Sequence, residues 1–278
     1  MENGRITQRL DNRDDFHIEN LSWIEPLGIA LLKLYKLNFP DMKIFISGTS
    51  SSIGYINTLL DATSSRKGSY IPLEHFTNEF GNKDEIASNV TKKIIENAHN
   101  LSDDDKLDLS KYLQYLISEM MDNVISHSLS PIGGIVTAQY YPTKKKVQVV
   151  IIDSGVGLME TLAKKYPVES EKDAIIKAME KEVSGSNAFA PYTNIPKHAG
   201  LGLYFLSRII EYTSGKLLIV SNDTVYRSTG NRFHTLKTTF HGTMIAFEIF
   251  EEKLDYEFGQ LFNIIKAEGE EEEEEDIF

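Results

Sequence analysis

Apolar and polar positions in the first part of the chain alternate twice between a strand-like and a helix-like pattern. Strict alternation predicts a strand, because successive side chains of a strand face opposite sides, and a longer apolar run after a turn predicts a helix. The four predicted elements are a strand at 16–24, a helix at 27–35, a strand at 43–47 and a helix from the serine-rich turn 48–54 to about 62. The sequence therefore predicts a small βαβα domain over residues 1–80, ending in a polar stretch.

The remainder of the chain predicts a larger α/β domain over residues 81–255. Ser102 is followed by three aspartates, which is typical of a helix N-terminus. The serine hydroxyl caps free N–H groups, and the negative charges interact favourably with the positive end of the helix dipole. The predicted elements are helices at 84–97, 102–128, 170–181 and from about 201, a hairpin of strands at 135–141 and 147–152, and strands at 217–221 and 243–250. The segment 256–278 ends in a block of like charge, which predicts a disordered acidic tail beyond Glu268.

Composition and charge narrow the classes of function. The chain has 278 residues with 29 basic and 41 acidic side chains, a net charge of −12, and eight of the acids lie in the last eleven residues. This balance disfavours a nucleic-acid partner, which requires clustered Lys and Arg. The chain has no Cys, which excludes disulfides, thiolate metal sites and cysteine catalysis. No stretch reaches the ~18 apolar residues of a membrane span, so we expect a cytoplasmic protein without membrane contact.

The helix at 102–128 carries a carboxylate and a carboxamide four residues apart, at Glu119 and Asn123. This spacing places them on one helical face, beside the apolar stripe of Leu109, Leu113, Leu116, Met120 and Val124. An amide oxygen suits Mg²⁺ and a carboxylate can activate water, so the pair fits the rim of a site. A solvated helix face would show the same two residue types.

Two further segments combine a strand or helix with glycines. The strand at 147–152 leads into Asp153-Ser-Gly-Val-Gly157, where a buried carboxylate could accept a hydrogen bond from an exocyclic amine and the glycines permit close backbone approach; a tight turn would use the same residues. Gly200 and Gly202 open the helix after Lys197, and free N–H groups at a helix start bind phosphate. A Gly-Thr step at Thr243 opens the last strand.

The order and spacing of these four segments resembles the Bergerat-fold (GHKL) ATPases, which include gyrase B, a heat-shock chaperone family, sensor histidine kinases, MutL and the anti-sigma-factor kinases. The match covers roughly residues 85–250. The resemblance implies a two-layer α/β sandwich that binds ATP with Mg²⁺. It also implies that Asp153 binds the adenine amine with help from Thr243, and that Gly155 and Gly157 shape the adenine pocket.

On the phosphate side, the resemblance implies that Asn123 holds Mg²⁺ and that Glu119 is the general base in members that hydrolyse ATP. Gly200, Leu201 and Gly202 would bind the phosphates at the helix start, and residues 158–199 would form a mobile lid. Lys197 is placed either for a phosphate contact or as a solvated loop lysine.

The N-terminal domain looks like a STAS-type domain, the fold of anti-sigma-factor antagonists, through Ile24-Glu-Pro-Leu-Gly28 at the start of a helix. Pro26 and Leu27 stand where that family has a phosphorylatable serine. The resemblances together imply an ATPase that uses ATP binding, hydrolysis and lid closure to switch a protein partner or a second subunit. Two alternatives stay open: a serine/threonine protein kinase of the anti-sigma type, and a binding module that is gated by ATP without hydrolysis.

Overall fold

Two β-sheets and the helices packed against them make up the computed structural model, which describes residues 5–8, 16–60, 73–77, 83–181, 183 and 202–275. The prediction of an α/β fold is confirmed. In the described part of the chain, no helix combines the length and the apolar character needed to cross a membrane.

The N-terminal sheet has three strands, β1 (Arg5–Gln8), β2 (Phe16–Leu21) and β3 (Ile44–Gly48). β1 is antiparallel to β2, and β2 is parallel to β3. Parallel neighbours require a crossover connection, which helix α1 (Pro26–Asn38) supplies before helix α2 (Ser50–Leu60) follows β3. The predicted βαβα order is present, and β1 is an additional strand that the pattern did not predict.

The second sheet is fully antiparallel and has seven strands in the order β4-β5-β6-β10-β7-β8-β9. Its strands are β4 (Glu74–Phe76), β5 (Gly134–Tyr141), β6 (Lys146–Asp153), β7 (Lys216–Ser221), β8 (Thr224–Arg227), β9 (Arg232–Thr235) and β10 (Thr243–Phe250). The last strand in the chain lies between β6 and β7, so the end of β6 and the end of β7 both lie beside the start of β10. β4 precedes residue 80 yet pairs with β5, and the domain boundary near residue 80 stays a prediction.

One face of this sheet is covered by helices from the second part of the chain. They are α3 (Lys83–Asn97), α4 (Asp103–His127), α5 (Gly157–Leu162), α6 (Glu171–Ala178) and α7 (Gly202–Tyr212), and α8 (Phe258–Glu275) packs against α4 and α7. Ser102 caps α4 by accepting from Asp105 N at 3.1 Å, as the sequence predicts. The apolar stripe of α4 is buried in the core between helices and sheet.

The opposite face of the same sheet is covered by α1. Ile29 and Ala30 of α1 are fully buried in one apolar cluster with Val150 and Ile152 of β6. The N-terminal helix therefore shares a core with the larger sheet, which accordingly has apolar side chains on both faces at its centre.

The first half of the predicted lid is part of the core. Within 158–199, the structure places α5, which the sequence did not predict, and α6, and it buries Leu162, Ala174 and Ile175 against the helical layer. The prediction that residues 158–199 form a mobile lid stays a prediction. Its first half is not the irregular loop that the sequence suggested, because apolar residues at helical spacing pack this stretch against the core. The remainder, residues 184–201, lies outside the described residues.

The prediction of a disordered tail is wrong for the acidic residues up to Glu275, which continue helix α8. The helix is anchored by the buried Leu261 and Ile265 and by an ion pair of 2.7 Å between Arg208 and Glu268. Glutamate has a high helix propensity, so a helix nucleated by packing extends into the glutamate run despite the repulsion between like charges. Residues 276–278 lie outside the described residues.

The shared core makes a prediction about cooperativity. Ile29→Ala should lower the free energy of unfolding by about 2–5 kcal/mol, because it leaves a cavity between α1 and the larger sheet. We expect one thermal transition that moves as a whole, measured by calorimetry and circular dichroism. Ile176→Ala is the control, since Ile176 is 41% exposed on α6. Two transitions, of which only one moves, would contradict a shared core.

Candidate functional site

Three strand ends meet at one edge of the seven-stranded sheet. Asp153 is the last residue of β6, Thr243 is the first residue of β10, and Thr243 is paired with Ser221 at the end of β7. The antiparallel order of β6, β10 and β7 brings these residues together although up to 90 positions separate them in the chain. The turns that follow β6 and β7 and the turn that precedes β10 therefore lie at this same edge.

The Asp153 carboxyl group is buried at this edge, with 1% of the residue exposed. Its Oδ1 accepts hydrogen bonds from the backbone N–H of Gly155 at 2.7 Å and of Thr243 at 3.3 Å. Burial raises the pKa of Asp153 to about 7, and the two N–H donors oppose that rise. A carboxylate in this environment is a strong acceptor for a ligand N–H group, since water competes little for it.

The turn after Asp153 is packed so closely that it requires glycine. A Cβ on Gly155 would lie 1.9 Å from the carbonyl oxygen of Ser128, which accepts from Val156 N at 2.8 Å. Gly157 has φ of +81°, and a Cβ there would lie 2.4 Å from Asn222 Nδ2. The turn is thus fixed between the end of α4 and the β7–β8 connection.

The α4 face with Glu119 and Asn123 is half-buried rather than fully solvated. Burial and the nearby Asp122 raise the pKa of Glu119 to about 7, while Lys83 lowers it. Lys83 itself forms an ion pair with Asp122, which is the more exposed of the two acids. A carboxyl group with a pKa near neutrality is suited to exchange a proton at physiological pH.

The start of α7 lies directly against Glu119. Gly202 is buried, and a Cβ on it would lie 2.8 Å from Glu119 Oε2 and 3.3 Å from Glu119 Cβ. The first N–H groups of α7, which have no partner within the helix, therefore begin next to this carboxyl group. Lys197, Gly200 and Leu201 of the predicted site lie outside the described residues, so their predicted roles stay predictions.

Three further polar residues, Glu171, Ser221 and Asn222, adjoin the Asp153 turn, and the sequence analysis did not assign them to the site. Glu171 Oε2 accepts from Ser221 Oγ at 2.6 Å and from Met159 N at 3.3 Å, and Glu171 Oε1 accepts from Asn222 Nδ2 at 2.5 Å. The Asn222-Asp223 pair is a recognisable hairpin-turn signal, consistent with a φ of +47° at Asn222. Glu171 looks in the sequence like an ordinary first-turn acid of a helix.

Among the described residues, no group of three or more His, Asp or Glu could hold a metal ion. Comparison of the chain with models of known protein families and with curated proteins finds no match.

The burial of Asp153 predicts a dependence of stability on pH. Its folded pKa of about 7 lies above its ordinary value of 3.8, so its contribution to stability is present below about pH 4 and is lost as pH rises through 7. The stability of the wild type relative to Asp153→Asn should therefore fall across this window, with a slope approaching about 1.4 kcal/mol per pH unit. Urea unfolding at pH 4.5, 6 and 8 measures it.

The control for this experiment is Asp255→Asn, because Asp255 is an exposed aspartate outside the site. Its difference from the wild type should not show the slope. A difference between the wild type and Asp153→Asn that stays constant across the pH range would show that the carboxylate ionises without a desolvation cost.

Proposed function

We propose that the protein binds ATP with Mg²⁺ and hydrolyses it, and that residues 81–255 have the two-layer Bergerat architecture. The observation that carries this proposal is that the four sequence segments lie together in two pairs: Thr243 N donates to Asp153 Oδ1, and Gly202 lies against Glu119. These are the pairs that the resemblance assigns to the adenine side and to the phosphate side of one site.

The adenine base is proposed to bind at Asp153. Its exocyclic amine donates to the carboxylate. Gly155 and Gly157 would shape the adenine pocket indirectly, because the absence of a Cβ lets the turn pack against Ser128 O and Asn222 Nδ2. Guanine has a carbonyl oxygen in place of that amine, and an oxygen facing a carboxylate is repelled. The site should therefore prefer ATP to GTP.

The phosphates are proposed to lie between α4 and the start of α7. The Asn123 amide oxygen is a suitable Mg²⁺ ligand, and phosphate oxygens and water would fill the remaining positions. When bound, Mg²⁺ neutralises phosphate charge. The N–H groups at the start of α7, next to Gly202, add a favourable dipole, and Gly200, Leu201 and Lys197 would extend this contact.

Glu119 is proposed as the general base that accepts a proton from the attacking water. Its pKa of about 7 leaves it able to take that proton near neutral pH. The same carboxylate would serve a serine/threonine kinase of the anti-sigma type, where the attacking group is a hydroxyl on a protein partner. The mixed three-stranded sheet with α1 after β2 supports the STAS-like interpretation of the N-terminal part, in which Pro26 and Leu27 replace the phosphorylatable serine.

ATP with Mg²⁺ should raise the melting temperature of the wild-type protein. A ligand present at one hundred times its Kd, and bound only by the folded state, stabilises by about 2.7 kcal/mol, which is a shift of several degrees. Asp153→Asn should abolish the shift, because the asparagine amide presents an NH₂ donor where one carboxylate oxygen accepted the adenine amine. GTP should give little shift with the wild type. Asp255→Asn is the control that should keep the full shift.

The melts have two decisive outcomes. Wild-type melts unchanged by ATP, ADP and a non-hydrolysable analogue would overturn ATP binding. A shift of equal size in Asp153→Asn would remove Asp153 from the site while leaving nucleotide binding in place.

Glu119→Gln should retain ATP binding and lose phosphate release by about 10²–10⁴-fold, since an amide cannot accept the proton. Asn123→Ala should weaken binding only when Mg²⁺ is present. Glu96→Gln, on the exposed face of α3, is the matched control. Phosphate release and transfer of labelled phosphate to added protein are measured together, so that hydrolysis, kinase activity and binding alone give three different patterns. Full turnover in both site variants would mean that Glu119 and Asn123 take no part in hydrolysis.

A further inference from the structure

The two N–H groups that hold the Asp153 carboxyl come from two different turns, and Asn222 is bonded to both turns. Its Nδ2 donates to Val156 O at 3.0 Å, one residue after Gly155, and its Oδ1 accepts from Gly242 N at 3.2 Å, one residue before Thr243. The Asn222 side chain therefore fixes the spacing between the donors on either side of Asp153.

An asparagine amide can make these two bonds in only one of its two orientations. Rotation by 180° would turn the oxygen towards Val156 O and the NH₂ group towards Gly242 N, which would place acceptor against acceptor and donor against donor. Glu171 selects the correct orientation, because its carboxylate only accepts and it lies 2.5 Å from Asn222 Nδ2.

Glu171 also fixes the start of α5 by two routes. Its Oε2 accepts directly from Met159 N, and it accepts from Ser221 Oγ, which in turn accepts from Leu158 N at 2.8 Å. One half-buried carboxylate on α6 thus accepts hydrogen bonds from the start of α5, from the end of β7 and from the turn after β7.

We propose that Glu171 is a positioning residue for the nucleotide-binding edge, which holds Asn222 in the orientation that aligns Gly155 N–H and Thr243 N–H on Asp153. The inference rests on the proposed function and deepens it: Glu171 contributes to the recognition of the adenine amine without touching the base. It follows that the specificity of Asp153 for an N–H donor depends on a residue of α6.

The alternative role, simple reinforcement of the fold, makes a different prediction. A purely structural Glu171 would lower stability when replaced but would not alter which base is preferred at temperatures where the protein is folded. A positioning role reduces the fraction of molecules with an aligned site, and apparent affinity falls by that fraction. Misalignment of Asp153 should also weaken discrimination between an amine and a carbonyl oxygen.

The test uses calorimetric titration of the full chain with ATP and with GTP, each with Mg²⁺. Glu171→Gln has the size of the wild-type residue but presents an NH₂ group that can face Asn222 and favour the flipped amide. We expect ATP affinity to fall about tenfold and the ATP-over-GTP preference to shrink, with helical content unchanged by circular dichroism. Glu160→Gln, an exposed glutamate on α5, is the matched control and should bind as the wild type does.

The double variant Glu171→Gln with Asn222→Ala separates the two roles further. If Glu171 acts through Asn222, the double variant should bind ATP no more weakly than Asn222→Ala alone. Additive losses, or wild-type affinity and preference in Glu171→Gln, would overturn the inference while leaving ATP binding intact. A wild-type protein that binds neither nucleotide would instead overturn the proposed function and the inference with it.

Should Glu171→Gln fail to fold, Asn222→Ala decides the question. It removes the side chain that is bonded to both turns but leaves the Glu171 carboxylate in place. A reduced ATP-over-GTP preference supports the positioning role, and an unchanged preference overturns it.

Discussion

Burial of one carboxyl group at the end of a strand is the constraint on which the rest of the site depends. Asp153 is 1% exposed, so removing it from water carries a cost that only aligned donors can offset. Gly155 N and Thr243 N supply those donors, and their positions follow from the glycine turn after β6 and from the insertion of the last strand between β6 and β7. Asn222 is bonded to both turns and Glu171 is bonded to Asn222, so the proposed alignment of the donors extends to α6.

The same edge is connected to the N-terminal part of the chain. Ser154, the residue after Asp153, donates from its hydroxyl to Asn38 Oδ1 at 3.1 Å at the end of α1, and its Oγ lies 3.3 Å from Ser130 Oγ. Because α1 also covers the centre of the larger sheet, it contacts both the face of the sheet and the turn that is proposed to bind the base. This hydrogen bond connects the N-terminal part to the edge where nucleotide binding is proposed, as a switch of the proposed kind would require.

The sequence predicted what depends on local patterns. The bounds of β10 agree with the pattern of residues 243–250, and Ser102 marks the start of α4 because capping is a property of one turn. It could not predict β4, a strand of three residues that is defined only by its partner β5. Nor could it assign Glu171 a role, because the groups that donate hydrogen bonds to this carboxylate lie 12 to 51 positions away in the chain. The sequence predicted disorder for the acidic run because the repulsion between its charges is a property of that segment alone. The structure extends helix α8 into the run, because Leu261 and Ile265 anchor the preceding turns of the helix in the core.

The proposed binding of ATP requires an acidic protein to keep its negative charge away from the phosphates. Eight of the acids responsible for the net charge of −12 lie in the last eleven residues, so the rest of the chain carries only −4. At the candidate site, the pKa values of Asp153 and Glu119 are both raised to about 7, so near neutral pH each carboxyl group is protonated for a substantial part of the time. In the proposed function, the burial that would make these groups an acceptor and a base would also lower the negative charge that an approaching nucleotide meets. Desolvation would then contribute to recognition, proton transfer and electrostatic access together.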